Sequence, residues 1–244
     1  MKFSSIKTQL IFFLAGYALF LSIKDKDTAF LLAAFIAVIS CVSTDSAISY
    51  LKNRKLTLAE SSIISGLIIG FVLSSDQPRW IYVVAAVFAI SSKHFIRIKD
   101  KHLFNPAAFG LFSAIILCGA ETQWKGTYLW YVLIPAGLYF AYRVRRLEVI
   151  VGYSLTVLVL FGAQAFIQKV SLLNIFGYLS YFYIFVMVIE PKTTPIRPRG
   201  KMLFGIGVAA LIFILTAAGV KFDVELCSLL ALNSVVPIFN KLPK

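Results

Sequence analysis

The chain has 244 residues, 59% of them hydrophobic and only 14% charged, with a net charge of +13 and a mean hydropathy of +0.85. Soluble domains run near about 25% charged and 45–50% apolar, so this composition excludes a water-soluble globular chain. In lipid every backbone N–H and C=O needs an internal partner, which leaves helices or a closed barrel. The apolar runs are continuous rather than alternating, and that pattern selects helices.

Lys2 and Lys7 precede the first apolar run, and no small-x-small cleavage site follows it, so it reads as a retained first helix over residues 9–23. Further segments are expected at 28–44, 61–75, 80–96, 105–120, 127–142, 147–168, 171–189, 202–220 and 224–240. The expected fold is therefore an all-α polytopic membrane protein of ten transmembrane helices, forming one integral membrane domain over 1–244 with halves at about 1–120 and 121–244. The segments at 61–75 and 105–120 are short and carry Gly or Pro, a feature that in transporters marks binding sites near the bilayer midplane.

Of the 24 basic residues, 18 fall at the termini and in the even-numbered loops. Only Lys24, Lys26, Arg79, Lys125, Lys169 and Lys221 lie in the odd-numbered loops. That bias places both termini on the cytoplasmic side of a bacterial inner membrane. It also explains the net charge through orientation and contact with anionic lipid, and it excludes nucleic acid as a partner. The acidic residues are read as loop or helix-end positions, which speaks against a carboxylate-based ion path within the chain. His94 and His102 are read as solvated loop residues. Cys41, Cys118 and Cys227 have no metal-ligand spacing and are read as small apolar side chains.

Three motifs place polar or helix-breaking residues where a plain spanning helix needs none. In Ser61–Gly70, Gly66 and Gly70 lie four apart with Ser62 beside them, a small-xxx-small face suited to close helix packing; Ser65 and Gly66 are equally candidates for a ligand site. In Asn105-Pro106-Ala107, Asn suits an N-cap and Pro the first helical position, and such a terminus attracts anions. In Glu190–Gly200, three prolines restrain a loop that carries Lys192, Thr193, Thr194 and Arg197 as clustered donors.

With Ser65–Gly70, Pro78-Arg79-Trp80, Asn105-Pro106-Ala107, Glu190–Pro195, Pro198-Arg199-Gly200, Asn233 and Pro237 in order over 60–240, the chain resembles the NqrB/RnfD family. That family contains the NqrB membrane subunit of the sodium-translocating NADH:quinone reductase and the RnfD membrane subunit of the Rnf electron-transport complex. The resemblance implies two inverted five-helix halves related to urea and ammonium channels, flavin-mediated electron transfer through the membrane, and other membrane or cytoplasmic redox subunits as partners. The family attaches FMN to a Thr in an external loop after the Asn-Pro-Ala helix. The corresponding loop here, Glu121–Thr127, is short, and its Thr122 and Thr127 lack the Gly-Ala-Thr context, so no residue carries that role over.

The expectation is a membrane subunit of a flavin-dependent electron-transport complex that binds FMN or riboflavin non-covalently or docks a flavin partner. The aromatic run Phe176, Tyr178, Tyr181, Phe182, Tyr183 and Phe185 is a candidate stacking surface, or else a lipid-facing and interfacial one. The site residues expected for the cofactor are Ser65, Gly66, Asn105, Pro106, Lys192, Thr193, Thr194 and Arg197. The alternative is a channel or transporter for a small solute, flavin included.

Overall fold

The computed structural model describes residues 5–54, 59–98, 101–171, 176 and 179–241. Lys2, Lys55, Lys99, Asp100, Tyr178 and Lys244 lie outside the described residues. The chain divides into two compact units, Met1–Gly126 and Thr127–Lys244.

Unit 1 holds α1 (Ile6–Asp25), α2 (Thr28–Asn53), α3 (Glu60–Val72), α4 (Arg79–Phe95) and α5 (Pro106–Cys118). Arg97–Ile98 pairs antiparallel with Lys101–His102 between α4 and α5. Unit 2 holds α6 (Trp130–Arg143), α7 (Leu147–Ile167), a π-helical segment Tyr183–Val188, α8 (Pro198–Ala217) and α9 (Val224–Phe239). Each unit thus has five helical segments among its described residues, and in each the third is short. Helices α1, α2, α7 and α8 are long and apolar enough to cross a membrane; α3, α5 and α9 are apolar but shorter. The chain is an all-α polytopic membrane protein, as its composition requires.

Local chemistry sets the helix ends. The side chains of Ser5, Asp27, Asn105 and Asp223 accept from the third N–H onward, at Thr8 (3.2 Å), Phe30 (2.9 Å), Ala108 (3.1 Å) and Leu226 (3.0 Å). These bonds satisfy donors that the helix itself leaves open. Gly119 closes α5 with φ +64°, a conformation that glycine adopts without a Cβ penalty.

Close backbone approach builds both units. A Cβ on Gly66 would lie 2.5 Å from Val38 Cα, and one on Gly70 2.6 Å from Ala34 Cα, so α3 lies directly on the backbone of α2. Gly110 meets the Ala85 carbonyl on α4 in the same way. In unit 2, Gly152 faces the Met202 carbonyl and Gly205 the Val149 carbonyl, which seats α7 on α8. Without a hydrophobic driving force between helices in lipid, such small-residue contacts are what packing can use.

Three expectations need correction. The second helix does not stop at residue 44 but runs to Asn53, because the helical pattern of Ala47, Ile48 and Leu51 continues past Asp45. The third segment ends at Val72 rather than 75, since Leu73 turns extended and the backbone there bonds to another loop. Of the expected 171–189 helix, the described residues show helix only from Tyr181 to Val188.

Orientation is open to direct test in unit 2, where the relevant side chains are exposed. Cysteines replacing Arg145 and Arg199 are expected to react with an impermeant maleimide from the cytoplasmic side only, and cysteines replacing Lys169 and Lys221 from the other side only. Reaction of all four from one side would undo the assignment.

Candidate functional site

Among the described residues, polar side chains gather in two places in unit 1 and one in unit 2. The first lies where α2 begins. Lys125, only 5% exposed at its side chain, forms an ion pair with Asp27, and Ser75 Oγ donates to the same carboxylate at 3.1 Å. The ammonium also sits 4.8 Å from the Phe30 ring centroid. Burial alone would raise the Asp27 pKa, but the Lys125 ammonium, the Phe30 N–H and the Ser75 hydroxyl outweigh it and hold the carboxyl below its usual range. The depressed value means that this grip is complete above the ordinary carboxylate pKa and fades only as pH falls through the lower, folded-state value.

The second cluster ties α2, α3 and α4 together. Asp45 is 2% exposed. It accepts from Ser62 Oγ at 2.6 Å and from Lys93 Nζ at 3.1 Å, and it lies 2.5 Å from His94 Nε2. Lys93 Nζ is also 3.1 Å from Ser62 Oγ. A carboxylate can be kept inside a membrane helix only when such partners replace water. Helix α2 has 26 residues, about 39 Å at 1.5 Å per residue, so Asp45 sits roughly 12 Å inside its end. Asp45 is therefore not a loop residue, and His94 is not solvated. His102 is likewise buried, at 6% exposure. The apolar residues after Asp45 were the available signal; a window that stops at the first carboxylate misses it.

The third cluster is the Pro-Thr loop of unit 2. Thr193 and Thr194 are each 1% exposed. Thr194 Oγ1 donates to the Glu190 carbonyl at 2.9 Å and accepts from Arg146 Nε at 2.5 Å. Arg146 also donates to the Pro191 carbonyl at 3.0 Å and the Arg145 carbonyl at 3.1 Å. Desolvation pulls its guanidinium pKa down, and carbonyl and hydroxyl oxygens hold the charge in place. Thr193 Oγ1 donates to Glu190 at 3.4 Å, while Asn233 Nδ2 donates to the Thr193 carbonyl at 3.1 Å. Asn240 Oδ1 accepts from Ile196 N at 2.9 Å. Lys192 is exposed and Arg197 half-buried. Arg146 went unnoticed in the sequence because it looks like one more orienting charge.

The residues singled out in unit 1 are used in packing and capping. Ser65 Oγ donates to the Ser61 carbonyl at 3.0 Å, Gly66 lies on α2, Asn105 caps α5, and Pro106 occupies its first turn. Of the aromatic run, Phe182, Tyr183 and Phe185 are buried. Tyr183 is tilted against Tyr153 at 6.2 Å and Phe185 fills the space over Gly137. Tyr181 reaches outward to Trp130, 6.4 Å between centroids. Thr122 is held in a backbone bridge with Leu73, and Thr127 Oγ1 is buried.

Thr194→Val is expected to destabilise unit 2 by about 1–3 kcal/mol, because it removes the acceptor of a buried guanidinium N–H without changing shape. Thermal melting in detergent checks this, and an unchanged midpoint would show that water takes over the bond.

These features define a polytopic membrane protein that keeps charged groups inside its helical units by pairing them. The chain belongs to the NQR2, RnfD, RnfE family, whose model matches residues 2–130. It is similar to the D subunit of the proton-translocating ferredoxin:NAD(+) oxidoreductase complex of Clostridium ljungdahlii, with 21% identity over 262 residues. That alignment covers 84% of this chain and 79% of the relative.

Proposed function

We propose that the chain is the membrane subunit of an Rnf-type electron-transport complex and that it docks a flavin-bearing redox partner. The observation that carries this reading is family membership together with a similarity to an Rnf-type membrane subunit that runs through both units. The donors expected to hold a flavin do not fit one as they stand. The Thr194 hydroxyl proton is committed to Glu190, Gly66 is closed off by the Val38 backbone, and the Asn105 carboxamide oxygen caps α5. The flavin, when present, supplies the one- and two-electron chemistry; this chain supplies a positioned surface in the membrane. FMN or riboflavin then belongs to the partner, which is the second form of the expectation.

The test is purification of the tagged chain from membranes of its own host. Redox subunits should accompany it in fixed ratio, visible flavin absorption should follow those subunits, and the separated chain should be colourless. On a denaturing gel the chain should show no flavin fluorescence; a fluorescent band mapping to Thr122 or Thr127 would overturn that part. A chain that purifies alone and carries a small solute across vesicles would replace the whole reading with the channel alternative.

A further inference from the structure

The loops that precede α7 and α8 contain seven cations and two carboxylates, counting Arg143–Glu148 and Glu190–Lys201. Positive loops that merely orient a membrane protein need charge but no fixed backbone. Here the backbone is fixed. Two of the seven cations are buried and act as ties: Arg146 joins the first loop to Thr194 and Pro191, and Lys201 Nζ donates to the Arg145 carbonyl at 2.7 Å. Lys201 also takes up Glu148, at 3.3 Å, and Glu190 faces Thr193, so both carboxylates of the region are turned to internal contacts. Arg145 is held with φ 57°.

What is presented outward is an apolar knob among cations. Ile196 is 58% exposed, although its N–H is pinned by Asn240 and Pro195 precedes it. Around it in the two tied loops, Arg145, Lys192 and Arg199 are exposed. A rigid apolar centre with a charged rim, rich in arginine, has the anatomy of a protein interface. Pre-ordered loops lose little entropy on binding, and like-signed charge gives both steering and selectivity for an oppositely charged surface. Anionic head groups would be served by the same charges on mobile loops, so the ties favour a protein.

We propose that this face of unit 2 is the docking surface for an acidic extramembrane protein, the redox-carrying subunit or carrier of the complex. This rests on the function proposed above and names the partner's chemistry and its site.

The test uses the intact complex in host membranes, with a photo-crosslinking benzoylphenylalanine in place of Ile196. Irradiation is expected to give an adduct with an extramembrane protein, through a peptide rich in Asp and Glu. The same probe at Lys221, in the loop before α9, should not give it. Combining Arg145→Glu with Arg199→Glu should cut the adduct by about tenfold, and added salt should weaken the wild-type adduct. Co-purification of the other membrane subunits with the charge-reversed chain reports that it has folded. An adduct with phospholipid alone would assign the face to head groups and overturn the proposal. So would a protein adduct undiminished by charge reversal, in which case complex membership survives and only the docking surface falls. A wild-type chain that brings down no subunit and forms no adduct would remove both.

Discussion

Asp45→Asn is expected to cost about 3–5 kcal/mol of stability, the scale on which a buried ion pair fails when one partner is removed. The amide preserves size and a contact to Ser62, but it leaves the Lys93 ammonium, 3.1 Å away and 13% exposed, without its counter-charge. Pairing it with Lys93→Met should recover most of the loss, because the second change removes the stranded charge and the two residues share one network. Melting of the three variants in detergent would measure this. Equal midpoints for Asp45→Asn and the double variant would mean that Lys93 reaches water, and the cluster would then be a surface contact.

Gly205→Val is expected to cost about 3 kcal/mol, at the upper end of ordinary overpacking. The new Cβ would be placed 2.2 Å from the Val149 carbonyl oxygen and 2.9 Å from Tyr153 N, and helix backbone cannot move aside as a side-chain end can. The control is Gly16→Ala on α1, where nothing lies within 4 Å. A helix-interior glycine in open space should gain about 1 kcal/mol from that change. Opposite signs for the two glycines identify backbone contact as the cause; a shared sign would point to helix propensity alone.

Much of this architecture was legible in the residues. Long apolar runs located the helical segments, Asn105-Pro106 marked the start of α5, and the spacing of Gly66 and Gly70 marked a packing face. These features are local, so a linear reading reaches them. The polar clusters are another matter. Asp45 meets Lys93 and His94 across 48 and 49 positions, Asp27 meets Lys125 across 98, and Arg146 meets Thr194 across 48. Nothing in a charge count separates an arginine that orients a loop from one that holds it together. The prolines of the Pro-Thr loop signal a restrained backbone, but they do not say where its hydroxyls point. Those turn inward, because buried hydroxyls must find partners and Arg146 and Glu190 supply them.

Helix α3, with 13 residues, is about 20 Å long and falls short of the roughly 30 Å hydrocarbon layer. Its last carbonyl, on Val72, accepts from Gln123 N at 2.7 Å and Trp124 N at 3.2 Å, and Ser74 N donates to the Glu121 carbonyl. The stretch after α5 therefore finishes the crossing that α3 begins. For engineering, this makes Glu121–Gly126 a poor place for an epitope tag or a reporter insertion, although it has the look of an ordinary connecting loop. It also means that natural length variation here should travel with compensating change near Val72, since lengthening one strip of backbone without the other would leave amide groups facing lipid.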